Sequence, residues 1–351
     1  MSKIRMGVIG VGGIANRHIG EIIESSDAEL AAICDVNREN LDAKGDLYNI
    51  PAHLRFESHD ELLKCPDVDA VSICTPNNSH YPIAMDAIRY KKPFALEKPV
   101  ALTYNEAKDI EEAALKNGIP NMVCFSYRFK SAARFARQII REGHLGKIHH
   151  IYGQYIQSWG AKESLPLVWR FQKDFSGSGA LGDLGSHMLD LVRFMFGDFV
   201  KVCGNAGTLV KERKIPGSEI SGIVDVDDYC HFMAELDNGV SGSFMISRFG
   251  FGRGNYQRIE VYGSKGGLVY SLEDEDSIEV CIGELYGNAR DYHRIPVPPQ
   301  HNSRQMQSFF DIINNKGDGL AASISDGSIN QRLLDSIIES FNEGKWVYVK
   351  D

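Results

Sequence analysis

Through the first third of the chain, short apolar runs alternate with helical periodicities. Ile4–Ile9, Leu30–Cys34, Ala70–Cys74, Phe94–Leu96 and Met122–Phe125 are runs of strand length. Between them, the spacing predicts helices over about 14–24, 37–47, 79–90 and 104–117. The last carries its own boundaries: Thr103 at the N-cap, Glu106 three residues on, and Gly118 just past the end. Strand–helix alternation of this kind predicts parallel strands with right-handed crossovers, a doubly wound α/β sheet.

After residue 125 the rhythm changes. A helix over about 131–142 leads into a long strand at 147–158, an irregular stretch, and a helix over about 181–196. Several strands follow from 199 to 295, separated by turns such as D-N-G at 237–239 and G-S-K-G-G at 263–267. Two helices and a short strand close the chain. Strand following strand predicts an α+β domain with an open, mostly antiparallel sheet. We therefore divide the chain into a Rossmann-type domain at 1–123 and an α+β domain at 124–351, which suits 351 residues better than a single core.

Composition narrows the class. With 43% hydrophobic and 24% charged residues, the chain reads as a soluble globular protein. It has no run of 18 apolar residues to span a membrane, and no export signal at its start. A net charge of −9 argues against nucleic acid, whose phosphates need a basic surface. Seven cysteines form no C-x-x-C pair, which fits free thiols in a reducing cytoplasm. Nucleophilic chemistry remains open for Cys74.

Candidate chemistry gathers at strand ends. G-V-G-G-I-A at 10–15 follows the first strand and opens a helix. There Gly10 allows a tight turn, Gly12 and Gly13 leave room for a pyrophosphate, and Ile14 and Ala15 start a helix whose free N–H groups favour phosphate. Asp35 ends the second strand, where an acid hydrogen-bonds a ribose and repels a 2′-phosphate. That predicts NAD; Arg38 nearby keeps NADP as the second option. As the bland alternative, Asp35 caps the next helix. T-P-N-N-S-H at 75–80 places Thr75, Pro76, Asn77 and His80 at another carboxyl edge; the alternative is a plain turn with an exposed His80. Glu97, Lys98 and Pro99 end the strand Phe94–Leu96, with a surface ion pair as the alternative. In G-S-G-A-L-G-D-L-G-S-H-M-L-D at 177–190, Asp183 and His187 stand four apart, on one helical face, and Asp190 three further on. A carboxylate beside an imidazole suits proton transfer. With no further ligand cluster in the sequence, no metal is expected.

G-x-G-x-x-A, Asp35, T-P-N-x-x-H, E-K-P, Y-R-F at 127–129, W-R at 169–170 and G-D-L-G-S-H-x-L-D together resemble the glucose–fructose oxidoreductase/inositol dehydrogenase/rhizopine-catabolism (Gfo/Idh/MocA) oxidoreductases, across essentially the whole chain. Departures are small: Lys91-Lys92-Pro93 replaces the usual Gly-Lys, and Lys130 stands where proline is frequent. The resemblance implies catalytic roles for Lys98, Asp183 and His187, and a pocket lined by Tyr127, Arg128, Trp169 and Arg170, with Glu97 at the cofactor edge. It also implies dimers or tetramers through the second domain's sheet. The expected reaction is reversible oxidation of a secondary alcohol on a cyclic polyol or sugar. His187 serves as base and Lys98 as the cation for the reacting oxygen. Gln157 and Trp159, at the end of the long strand, are candidates for substrate recognition, as are Asp190 and the segment Arg248–Tyr256. Two other classes stay open: a glycosidase that retains its NAD, and a non-catalytic NAD sensor.

Overall fold

The computed structural model describes residues 3–283 and 291–349. The chain forms two compact units: Met1–Phe125 with Ser303–Ile329, and Ser126–Asn302 with Asn330–Asp351. The expected division at residue 123 therefore omits a return of the chain into the first unit. That return has a physical cause in the edge strand. Val123 donates its N–H to Ala322 O at 2.8 Å, and Asn121 Oδ1 accepts from Ile324 N at 2.8 Å. Helix Gln305–Ile313 docks beside the first helix, where Met306 N reaches Glu21 Oε2 at 2.8 Å.

The first unit is built on six strands: β1 (Ile4–Ile9), β2 (Ala28–Cys34), β3 (Arg55–Phe56), β4 (Ala70–Ile73), β5 (Phe94–Leu96) and β6 (Asn121–Val123). They lie in the order β3-β2-β1-β4-β5-β6, and every ladder is parallel. Both faces are covered by helices, so β4 and β5 are buried at every residue, the expected state of parallel strands. The chain reverses direction across the sheet between β1 and β4, and their carboxyl ends border the switch-point crevice.

Helices α1 (Ala15–Glu24), α2 (Arg38–Leu47), α4 (His80–Arg89) and α5 (Tyr104–Asn117) fall where the periodicity predicts them. The capping box on α5 is present in full, and Gly118 ends it with φ of 62°. β3 and α3 (His59–Lys64) were not anticipated; two and six residues are too few to display a period.

In the second unit, nine strands make one mixed sheet. At its centre β7 (Ile148–Ile156) runs parallel to β12 (Ser241–Ser247) and antiparallel to β13 (Tyr256–Gly263). The strand predicted at 147–158 thus sits mid-sheet. β11 (Tyr229–Leu236) pairs antiparallel with both β12 and β8 (Phe199–Gly207). One face buries Ile151, Phe232, Phe244, Ile246, Ile259 and Val261. Helices α6 (Ser131–Arg141), α7 (Lys173–Ser176) and α8 (Ser186–Phe196) also belong to this unit. The other face carries exposed Tyr152, Met233, Met245 and Tyr262; Ser243 lies between Tyr152 and Met233, and the Tyr152 and Tyr262 rings meet edge-on at 5.9 Å. No helix among the described residues is long and apolar enough to cross a membrane.

At the β1–α1 turn, Gly10 has φ of 82°, and a Cβ there would meet Thr75 Cγ2 at 2.8 Å and the Cys74 carbonyl carbon at 2.9 Å. Gly10→Ala is therefore expected to lower stability by about 1–3 kcal/mol in denaturant unfolding, and to weaken NADH binding in a fluorescence titration.

Candidate active site

The glycine turn is shaped for a phosphate. A Cβ added at Gly12 or Gly13 meets nothing within 4 Å, so the loop presents bare backbone to open space at the start of α1. Asp35 ties this loop to β2. Its Oδ2 accepts from Val11 N at 2.9 Å and its Oδ1 from Asn37 N at 2.8 Å. The cap of α2 is Asn37, whose Oδ1 accepts from Asn40 N, so capping is not the task of Asp35. Arg38 is turned to Asp42 and Glu57, at 2.8 and 3.0 Å. Thr75 and exposed Pro76 border the crevice, with Asn77 buried behind them. These features fit NAD.

The E-K-P turn differs from the surface pair considered above. Glu97 is only 8% exposed and His18 only 1%. His18 Nε2 lies 2.9 Å from Glu97 Oε1, and its Nδ1 2.7 Å from Ser72 Oγ. Glu97 Oε2 accepts the Lys98 backbone N–H at 3.3 Å, and the Lys98–Pro99 peptide is cis. Burial works against a charge on His18, but Cys74 and Glu97 outweigh it and push the imidazole up to about 10. Burial likewise penalises the Glu97 carboxylate, yet His18 and Lys98 hold it below the ordinary range. The two form a buried ion pair, with Lys98 leaving the core on a backbone that the pair helps to fix.

Cys124 Sγ lies close enough to join His18 and Glu97 as a third metal-type donor, all within 4.8 Å. His18 and Glu97 are already bonded to each other, and burial pushes the Cys124 thiol well up, away from the thiolate a metal needs. All seven cysteines are free thiols, Cys74 buried among them.

In the second unit a polar group surrounds His187. The helix expected over 181–196 begins with a π turn, Leu181–Gly185, followed by α8. Such turns recur at functional sites; here it carries Asp183 at its middle. His187, in the first turn of α8, is 7% exposed. The Tyr127 ring packs on it at 4.5 Å between centroids, and that of Tyr155 at 6.3 Å. The two phenols hydrogen-bond each other and share Asn255 Oδ1, at 3.2 and 2.8 Å. Gln157 Nε2 donates to Asn255 Oδ1 at 2.7 Å and to the Tyr155 phenol oxygen at 3.2 Å. Burial raises the Tyr155 phenol, with further contributions from Tyr127 and Asp183, so it acts as a neutral donor.

The remaining candidates have partners of their own in the second unit. Arg128 is buried, with its guanidinium on Asp190 at 2.7–3.0 Å and over the Phe194 ring. Both Arg128 and Asp190 thereby brace α8. Trp159 packs on Phe171 at 5.6 Å, and Arg170 stacks over Trp169 at 4.4 Å. Beneath these residues Arg248 bridges Asp228, at 2.8 Å, and Arg170 O, at 3.2 Å. Arg213 holds Gly160 O at 2.6 Å.

Three participants escaped the sequence reading. Tyr155 gave no signal beyond strand alternation. Asn255 lay unnamed inside Arg248–Tyr256. Asp227 caps the approach to the π turn: Oδ1 accepts from Gly179 N and Oδ2 from Leu181 N, each at 2.7 Å. Burial raises its carboxyl pKa against the pull of those two N–H groups. Gly179 is obligatory, because a Cβ there would lie 1.8 Å from Asp227 O.

Comparison with known proteins adds the lineage. Residues 4–125 match the family model for oxidoreductases with an NAD-binding Rossmann fold, and 133–269 match the GFO/IDH/MocA C-terminal domain. The chain belongs to the Gfo/Idh/MocA oxidoreductase family. Among its Gfo/Idh/MocA relatives, levoglucosan dehydrogenase of Pseudarthrobacter phenanthrenivorans is 32% identical over 319 residues, 82% of each chain. Inositol 2-dehydrogenase of Rhizobium meliloti is 25% identical over 99% of each. A solved levoglucosan dehydrogenase in complex with NADH superposes with a TM-score of 0.91, at 29% identity and full coverage of both chains. As in the family, the first unit is an NAD-binding domain.

Two expectations follow. Asp227→Asn leaves one backbone N–H facing an amide donor, so a loss of about 1–3 kcal/mol is expected in urea unfolding, with reduced turnover. His18 is charged more readily folded than unfolded, so its contribution is full below pH about 6.5 and fades as pH rises towards about 10. The melting-temperature gap between wild type and His18→Gln is accordingly expected to be largest near pH 6 and to shrink towards pH 10.

Proposed function

We propose that the chain is an NAD-dependent dehydrogenase that reversibly oxidises a secondary ring hydroxyl of a pyranose-type sugar or cyclic polyol. The observation that carries this reading is the group around His187. An imidazole is set among two phenols, an amide pair and a nearby carboxylate, a set of donors and acceptors matched to several hydroxyls on one small ring. The match to levoglucosan dehydrogenase supports a sugar, and that to inositol 2-dehydrogenase keeps cyclic polyols in the class.

A bound NAD would supply the hydride acceptor for the carbinol carbon. Gly10, Gly12, Gly13, Ile14 and Ala15 would hold its phosphates, Asp35 its ribose, and Thr75, Pro76 and Asn77 would border it. His187 takes the hydroxyl proton, leaving a carbonyl. Lys98 hydrogen-bonds the reacting oxygen and offsets its growing negative charge. Asp183 orients the substrate and His187. Tyr127, Gln157 and Trp159 contact the remaining hydroxyls and the ring. Arg128, buried on Asp190, acts by holding α8.

The exposed Tyr152, Met233, Met245 and Tyr262, interleaved with Ser243, His231 and Glu260, give a mixed apolar and polar sheet face that suits a second copy of the chain. A homodimer or homotetramer built on it, in a reducing cytoplasm, completes the reading.

Sugars and inositols screened with NAD are expected to yield NADH absorbance, and a silent panel would count against a dehydrogenase. Lys98→Ala is expected to lower kcat by about a thousandfold or more while NADH still binds; near-normal turnover would remove Lys98 from the chemistry. Asp35→Ser is expected to narrow the preference for NAD over NADP, read as the ratio of kcat/KM values.

A further inference from the structure

His80 has no access to a ligand. It is 0% exposed, in the first turn of α4, behind the crevice rather than on it. Its Nδ1 lies 2.7 Å from the carbonyl oxygen of Pro99 and its Nε2 2.9 Å from that of Thr75. Both partners are pure acceptors. A neutral imidazole has one N–H and one lone pair, so it bonds one carbonyl and sets a lone pair against the other. The ring is sealed from bulk solvent, so that contact is costly. Both distances are attractive only when both nitrogens carry protons.

We infer that His80 is a positioning residue for Lys98, an imidazolium that pins the end of β4 to the turn that follows β5. The two carbonyls it joins belong to Thr75, beside the cofactor loop, and to Pro99, the residue after Lys98. The ring therefore sets the separation between the T-P-N segment and the backbone from which the lysine side chain departs. A shift of that backbone moves the ammonium by a comparable amount, and misplacement of a reacting group by about 1 Å costs on the order of a hundredfold in rate.

The charged groups around the ring are Glu97 and Lys98. Burial is the largest influence and draws the imidazole down from its ordinary value. The carbonyls of Pro99 and Thr75, and then Glu97, act the other way without overcoming it, while Lys98 repels the charge; the imidazolium is inferred against that balance, from two acceptors that a single N–H cannot satisfy. Glu97 also carries the ion pair with His18, so one buried carboxylate lies between two imidazoles.

This inference rests on the role proposed for Lys98, and its test separates the two. Nitrogen-15 NMR of histidine-labelled protein with NADH bound, with the His80 signals assigned by their absence in His80→Asn, reads the protonation of each ring nitrogen. Two protonated nitrogens at pH 7 are expected; a single one overturns the imidazolium. Neither result depends on whether Lys98 is catalytic. In steady-state assays on the most active sugar of the panel, His80→Asn retains one donor and His80→Phe none. Turnover is expected to fall about tenfold and about a hundredfold respectively, with KM for the sugar changed less than about threefold. Wild-type kcat in both variants overturns the positioning role. Should Lys98→Ala prove fully active, the catalytic reading fails while the NMR result stands.

Discussion

A cation at the end of a buried strand must be held by something, and here the holder is a buried carboxylate. Glu97 sits under the turn, paired with His18 and accepting the backbone N–H of Lys98. A buried ion pair is not in itself a source of stability, because desolvation offsets most of its attraction. Its use is geometric. Losing either partner leaves the other charged and unpaired in the core, so the pair admits one arrangement of the β5 exit.

The second unit meets a similar demand with different means. His187 must keep its place on a helix that begins in a π turn, a form with little intrinsic preference. Asp227 supplies the missing order, taking two consecutive-turn N–H groups and forcing glycine at 179 by sheer proximity. Asp228, next in sequence, faces the other way and anchors Arg248, which supports the segment carrying Trp169 and Arg170. Two adjacent aspartates thus hold the start of the π turn and the segment of Trp169 and Arg170 separately.

Much of this was legible beforehand, and the pattern of success has physical reasons. The parallel strands, their helices and the α5 capping box follow from period and cap chemistry, which are local. The placement of Gly10, Asp35, Thr75 and Lys98 just beyond strand ends was legible because a doubly wound sheet delivers every strand's carboxyl end to one edge, so position along a strand stands in for position in space. Asn255, Tyr155 and Asp227 act across sequence separations of 28 to 128 residues, and nothing near them in the chain marks the partner. Arg128 illustrates the converse: its type suited a cofactor pocket, but only coordinates could reveal Asp190 as its partner. His80 was legible as a motif residue and not as a buried one, since burial depends on how α4 packs.

The return of residues 303–329 to the first unit bears on how the molecule is made. The open side of β6 is closed by Ala322, some two hundred residues later in synthesis. Until that segment leaves the ribosome, the nascent nucleotide-binding half has an uncovered sheet margin and an undocked α1. A fragment cut at residue 125 would carry the same defect permanently. Completion of the first unit is thereby deferred until residues 126–302 of the second have been translated, so a chain that terminates before residue 303 has no complete dinucleotide-binding unit.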